Sequence, residues 1–278
     1  MMMQVRVISM PGLVRRNRAR QRLTLLGWPW KFIDGVDVRG WSSQELDRVC
    51  DQQAIQQKFG RLANLGEIGC ALAHQHAWID FLASNEASTV ILEEDAIPGP
   101  DFETRLRGLA TLCDEQVEMI LLYTGCAVVY AESQRTLGSI TISRCAGRAD
   151  HALAYWVTRQ AALQLLAAQT PRIRALADWP LPLSHLKAYV SHQPWVTHDS
   201  HDSIIDPMRN KRWVGLRFLW RTLKQCLTWN KVGMHYHLHN HALTRLLRWR
   251  SVMRLQVIAH PKGRTPVFAS VAPKQIKP

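Results

Sequence analysis

The sequence is short of the patterns that usually give a function away. It contains no Gly-x-Gly-x-x-Gly and no Walker A lysine loop, which argues against a dinucleotide or ATP-hydrolysing enzyme built on those phosphate cradles. Its six cysteines (Cys50, Cys70, Cys113, Cys126, Cys145 and Cys226) include no Cys-x-x-Cys and no zinc-type spacing. Reduced, mostly buried thiols of an intracellular protein are therefore expected. No segment offers the roughly 18 apolar residues of a membrane span, and Met1 to Met3 lead straight into a strand-like stretch rather than a signal peptide. Acid is missing most conspicuously from the end of the chain, where Pro207 to Pro278 holds 15 Lys/Arg and no Asp or Glu. The preceding 206 residues carry 20 basic and 22 acidic side chains, so the tail holds the surplus behind the net charge of +13. A break that sharp marks a change of role near Asp206 and predicts a domain over 1–206 with a basic extension over 207–278.

What is present suits a folded α/β domain. At 278 residues, 47% hydrophobic and 21% charged, the chain has enough apolar surface to bury a sizeable core. The pattern predicts a strand at 5–9, a helix at 15–26 and a strand at 30–33, which together make a β-α-β opening. Helices are expected at 45–59, 67–82, 101–113 and 159–168, and strands at 89–92, 118–123, 139–142 and 152–157. The almost wholly apolar run at 89–92 predicts a central strand of an open, largely parallel sheet. The proline-spaced segment 171–207 shows no clear periodicity and reads as binding loops.

The sharpest local feature is Val90-Ile91-Leu92-Glu93-Glu94-Asp95. A buried strand that ends in three carboxylates is not explained by packing, since like charges this close must stay wet or meet a cation. In open α/β sheets the ligand crevice lies outside the carboxyl ends of the strands. Alternation predicts Glu93 and Asp95 on one side and Glu94 on the other. Glu93 and Asp95 are thus the expected ligands of a hard divalent ion, Mn²⁺ or Mg²⁺, which would neutralise a departing diphosphate. The bland alternative is a solvated turn leading into Pro98-Gly99-Pro100.

The context of that strand is Gly66-Glu67-Ile68-Gly69-Cys70, His74 and Trp78, followed by Leu92-Glu93-Glu94-Asp95 and Phe102. With the opening Val7-Ile8-Ser9-Met10, the arginines Arg15, Arg16 and Arg18, and the later Leu121-Leu122-Tyr123-Thr124-Gly125, Ala177-Asp178-Trp179 and Asp202-Ser203-Ile204-Ile205, this resembles glycosyltransferase family 25. That group comprises bacterial lipopolysaccharide and lipooligosaccharide sugar transferases related to the collagen galactosyltransferases. The resemblance covers about residues 5–206. It implies a GT-A-like α/β domain and inverting transfer of a hexose, galactose first, from a UDP-sugar to a lipid-linked saccharide. Glu94 stands where the family usually has Asp, and Ala73 where Ser is common before the histidine.

An inverting transfer needs a base to take the acceptor hydroxyl proton. Asp178 is the first candidate by its match to the family's later acidic position, with Asp150 as competitor. Glu67 either caps its helix or binds donor hydroxyls. His74 is either a donor contact or a satisfied interior histidine, and Trp78 is expected to pack in the core. Arg15 and Arg16 are candidates to neutralise the diphosphate, with Glu94 beside them. Cys70 is expected to pack, because an inverting reaction needs no covalent nucleophile.

The tail contains two candidate amphipathic helices, 211–229 and 238–255, in which Trp213, Trp220, Leu223 and Leu227 alternate with arginines. That composition suits an anionic membrane surface, and an enzyme peripheral on the inner face of the cytoplasmic membrane would meet a lipid-linked acceptor there. Two helices docked on the catalytic domain are the competing arrangement. Nucleic acid is not an expected partner, since no recognition module accompanies the charge. The row His235, His237, His239 and His241 lacks a neighbouring carboxylate or thiol, which argues against a structural zinc site. The competing account of the whole chain is a non-catalytic α/β scaffold or nucleic-acid-binding module acting through its basic tail.

Overall fold

A computed structural model of the chain describes residues 3–110, 116–138, 140–175, 179–199, 255–258 and 260. The β-branched run β1 (Val5–Ser9) is buried along its whole length, and α1 (Val14–Thr24) follows after a turn in which Gly12 takes a φ of +75°. The chain returns as β2 (Trp30–Asp34), parallel to β1. The single helix expected at 45–59 is instead two, α2 (Ser43–Val49) and α3 (Gln52–Phe59). The break falls at Cys50, which is extended and bridges Ile173, after which the Asp51 side chain caps α3 by accepting from the Ala54 N–H. A long-range backbone pairing thus overrides helix propensity at one residue.

Helix α4 (Leu65–Ala83) is the longest among the described residues, and its N-terminus carries a complete capping box between Asn64 and Glu67. It leads into β3 (Ser88–Glu93), a turn at Glu94 and Asp95, then β4 (Ala96–Pro98) and α5 (Phe102–Ala110). The remaining elements are β5 (Met119–Leu121), β6 (Ala127–Tyr130), β7 (Arg135–Leu137), β8 (Ile140–Ala149), β9 (Ala154–Thr158), α6 (Arg159–Gln169), β10 (Ala188–Ser191), β11 (Val196–His198) and β12 (Leu255–Ile258). Strands β10 and β11 lie in the segment read from sequence as loops. Ala188–Ser191 is buried throughout, so no alternation of polarity was there to reveal it.

The strands form one sheet in the order β12-β6-β8-β10-β5-β9-β3-β1-β2, with β7 on β8, and a small sheet pairs β11 with β4. It is a mixed α/β sheet, consistent with a GT-A-like domain. The expectation of a largely parallel sheet needs correction: only β1 with β2, β1 with β3 and β5 with β10 run parallel. Hairpin returns such as β7 to β8, where Leu137 stands opposite Ile140, replace the helical crossovers that parallel pairing would demand. Strand β3 is central, between parallel β1 and antiparallel β9. Ile91 packs with Trp78 and Phe81 of α4 and Leu165 of α6 on one face, while Val90 and Leu92 pack with Leu23 of α1 and Phe102 and Leu106 of α5 on the other. Among the described residues no helix is long and apolar enough to cross a membrane.

Strand β12 adds an edge to this sheet by pairing antiparallel with β6. Residues 255–258 of the basic extension therefore lie in the same sheet as strands from the first 206 residues. Both expected amphipathic helices, apart from Leu255, and the histidine row lie outside the described residues. His260 fastens the returning chain: Nδ1 accepts from the Thr124 N–H at 3.2 Å, Nε2 donates to the Ser191 carbonyl at 3.1 Å, and its own N–H reaches the Thr124 carbonyl. Burial pushes its pKa down to about 4. A second proton would occupy the nitrogen that accepts from Thr124. Because the folded value lies below the unfolded one, the unfolded chain binds protons first as pH falls, and stability is lost between about 6.5 and about 4. The loss should approach on the order of 3 kcal/mol. In denaturant unfolding at pH about 7 and about 4.5, His260→Gln should narrow the gap between the two pH values relative to the unaltered chain. An equal gap in both proteins would mean that acid sensitivity arises elsewhere.

Candidate functional site

Strands β2, β1 and β3 run parallel and end on the same side, and a pocket opens over their carboxyl ends. It has a cavity volume of about 150 Å³ and is lined by Ser9 and Met10 at the end of β1, by Gly35 to Arg39 after β2, by Gly66, Gly69, Cys70 and Ala73 of α4, and by Glu93, Glu94 and Asp95 with Arg15. Two glycines set its walls. A β-carbon at Gly69 would stand 2.4 Å from the Val36 carbonyl oxygen, and one at Gly35 would stand 2.7 Å from Met10 Sδ. Across the mouth Arg39 hydrogen-bonds Asp37 and holds its carboxyl down to about 2.

Each carboxylate at the end of β3 meets different company. Glu93 Oε1 lies 3.2 Å from His74 Nε2, and His74 Nδ1 lies 2.9 Å from the Tyr155 hydroxyl, which also accepts from Trp78 Nε1 at 2.9 Å. Glu94 is buried, accepting from Ser9 Oγ at 2.5 Å and facing Arg15 Nε at 3.3 Å. Asp95 pairs through Oδ2 with Arg15 Nη2 at 3.2 Å and with His198 Nε2 at 3.3 Å. Arg22 donates to the Glu94 carbonyl at 2.7 Å. The alternation expected of these residues is therefore not what forms. Regular pleating stops at Glu93, and the following turn brings Glu94 and Asp95 onto the same guanidinium while Glu93 faces α4.

One atom in this cluster is conspicuous. Asp95 Oδ1 is buried and has no hydrogen-bond partner, although a buried carboxylate oxygen left unpaired is costly. Hard anionic oxygens facing a cleft, one of them unsatisfied, are a donor set that fits a divalent cation.

Arg15 lines the pocket, whereas Arg16 is not among the lining residues. It bonds Asp34 at 2.5 Å and lies over the Phe32 ring. Of the two roles left open for Glu67, the structure shows the cap. Its carboxylate accepts from the Asn64 N–H and from both terminal nitrogens of Arg61, is 3% exposed and does not line the pocket. His74 is an interior histidine, satisfied by Tyr155 and Glu93, and Trp78 packs in the core. Cys70 was expected only to pack, yet it lines the pocket. Asp150 directly follows β8 and does not line the pocket. Its backbone meets Cys126 and Thr124, and the next residue, His151, takes a φ of +65°. The His151 ring lies 6.2 Å from that of His198. Asp178 lies outside the described residues.

Ser9, Tyr155 and His198 were missed from sequence. Ser9 ends a strand parallel to β3, so strand alignment could have found it. His198 had no such signal, because only the pairing of β11 with β4 carries it to Asp95.

A family model described as "Glycosyltransferase family 25 (LPS biosynthesis protein)" matches residues 2–178. A human protein named "Inactive glycosyltransferase 25 family member 3" is 30% identical over 65% of this chain and 31% of its own length. "Procollagen galactosyltransferase 1" of Danio rerio is 24% identical over 67% of this chain and 33% of its own. The chain thus spans about a third of the length of these curated relatives. A solved structure titled as a glycosyltransferase involved in the glycosylation of the major capsid of PBCV-1 aligns with 62% of this chain and 68% of that one. Its TM-score of 0.32 and 8% identity carry no argument. The family match extends through the first parallel strands, the α4 motif and the acidic end of β3, and on that basis the chain belongs to glycosyltransferase family 25.

Proposed function

We propose that this chain is an inverting, metal-assisted glycosyltransferase that moves a hexose, galactose first among the candidates, from a UDP-sugar to a saccharide acceptor of lipopolysaccharide or lipooligosaccharide. The observation that carries the reading is the pocket over the ends of three parallel strands, where Glu93 and Asp95 face a cleft beside Arg15. The words "LPS biosynthesis" in the family description and "galactosyltransferase" in a relative's name support the acceptor and the donor. Glu93 and Asp95 would hold a Mn²⁺ or Mg²⁺ ion, which when bound supplies positive charge against the diphosphate.

The chain's own residues perform the rest. Arg15 presents a guanidinium fork to the diphosphate oxygens. Ser9 and the Arg22 contact to the Glu94 carbonyl hold the acidic turn still. In the transfer the anomeric C–O bond to UDP breaks as the acceptor oxygen bonds to the opposite face of that carbon. The acceptor hydroxyl proton passes to a carboxylate, Asp178 first and Asp150 second. The extension beyond 207 would hold the enzyme at an anionic membrane on its cytoplasmic face, close to a lipid-linked acceptor.

A non-catalytic scaffold is a second reading, favoured by the ion pairs that already engage Glu94 and Asp95 and by the word "inactive" in several relatives' names. Measured UDP release decides between the two. With a panel of UDP-sugars, Mn²⁺ and detergent-solubilised truncated lipooligosaccharide, one donor should turn over, and Glu93→Ala with Asp95→Ala should lower the rate by about 10²-fold or more. No turnover by folded protein with any donor would favour the scaffold. Arg15→Ala should raise KM for the donor by about 10- to 100-fold, the worth of a charge-assisted contact, with Arg15→Lys recovering part of it. An unchanged KM would remove Arg15 from donor binding.

A further inference from the structure

Cys70 and His74 stand one helical turn apart on α4 and present their side chains to the same face. Strand β3 meets that face at its end, where Glu93 Oε1 lies 3.2 Å from His74 Nε2. A Cys70 sulfur, a His74 ring nitrogen and a Glu93 oxygen all lie within 4.8 Å of one another. Cys70 and Glu93 open to the pocket, whereas His74 is only 1% exposed. We propose that these three side chains form a binding site for a borderline transition ion, zinc by donor chemistry, with its remaining position open to the pocket.

The donor set selects the metal. One thiolate, one imidazole and one carboxylate around an open fourth position is zinc chemistry, whereas Mn²⁺ and Mg²⁺ favour oxygen donors. The imidazole is also held from behind, as metal-bound histidines usually are. Its Nδ1 meets the Tyr155 hydroxyl at 2.9 Å, and Tyr155 is itself fixed by Trp78. In one tautomer the Tyr155 hydroxyl donates to Nδ1, and the Nε2 hydrogen goes to Glu93. In the other, Nδ1 donates to the Tyr155 oxygen and Nε2 is bare, so that two acceptors face each other at 3.2 Å, an arrangement a cation between them stabilises. Binding would form a zinc–sulfur bond and release the thiol proton to solvent.

The site shares Glu93 with the hard-ion pair. Resting on the transferase reading, zinc would withdraw Glu93 from that pair and inhibit sugar transfer. The two ions therefore compete for a single carboxylate.

The binding test needs no donor sugar and no turnover, so its outcome is separate from that of the transferase reading. The reduced full-length chain is titrated with Co²⁺ as a spectroscopic stand-in and then with Zn²⁺. A thiolate-to-cobalt charge-transfer band in the near ultraviolet should appear, yield to Zn²⁺ and be absent from the near-isosteric Cys70→Ser. Zinc affinity should fall by at least about tenfold in that variant, the lower end of what even an outer-shell partner is worth. The histidine row of the tail contains no sulfur and cannot give this band. No band in the unaltered chain, or a band that persists in Cys70→Ser, would overturn the site. Zinc should also slow Mn²⁺-supported UDP release, each protein compared with its own zinc-free rate, more in the unaltered chain than in Cys70→Ser. Equal inhibition would overturn the competition.

Discussion

Three consecutive carboxylates at the end of a buried strand impose the constraint that organises this molecule. Glu93, Glu94 and Asp95 cannot retreat into the core as ions, and their mutual repulsion cannot be relieved by moving apart, because β3 is locked between β1 and β9. Each is therefore met by a partner from a different element: His74 from α4, Ser9 from the end of β1, Arg15 from α1 and His198 from β11. The β4–β11 ladder makes structural sense in this light, since it carries His198 and Asp199 back to the acidic turn.

The same logic operates at the opposite end of the sheet. Arg6 of β1 is fully buried, bonding Asp80 at 2.8 Å, Glu86 at 2.6 Å and Thr89 at 2.8 Å. A buried ion network of this kind is weak evidence for net stability, but removing one member would leave another charge unpaired. Its geometric effect is plain: it ties the last turns of α4 to β1 and to the start of β3. Arg159 adds bonds to the carbonyls of Leu82, Ser84 and Glu86. At its other end α4 is fixed by the capping box and Arg61. A helix anchored at both ends holds Cys70 and His74 in register with Glu93, so the pocket wall is positioned by residues that never touch the pocket.

Much of this was legible in the chain, and the failures have physical causes. The β-α-β opening, α4 and the acidic end of β3 could be read because periodicity and charge agree with tertiary burial there. The break between α2 and α3 could not, since its cause is a backbone bridge from Cys50 to a residue more than a hundred positions away. The short buried strand β10 carries no alternation, and the antiparallel returns that make the sheet mixed leave no periodic trace. At the site, residue types were read more successfully than their partnerships. Glu67 and His74 were both singled out, and their hydrogen bonds engage them with the helix cap and with Glu93. Ser9 and His198 belong to the acidic cluster only through strand pairing, which a one-dimensional pattern does not contain.

Glu94 is the residue at which sequence and geometry inform each other best. The family resemblance made it an oddity, a glutamate in a place where aspartate is usual. In the fold its carboxylate bonds Ser9 and faces Arg15. Those contacts occupy it in holding the turn, and they draw Arg15 across to Asp95. Glu93 is shared with a histidine, and the Oδ1 of Asp95 is buried without a hydrogen-bond partner. The middle carboxylate is thus spent on geometry, while the outer two are met from α4 and β11. This division of labour follows from the pleat ending at Glu93, for had the strand continued, Glu94 would have pointed away from the pair and Arg15 could not have bridged it to Asp95.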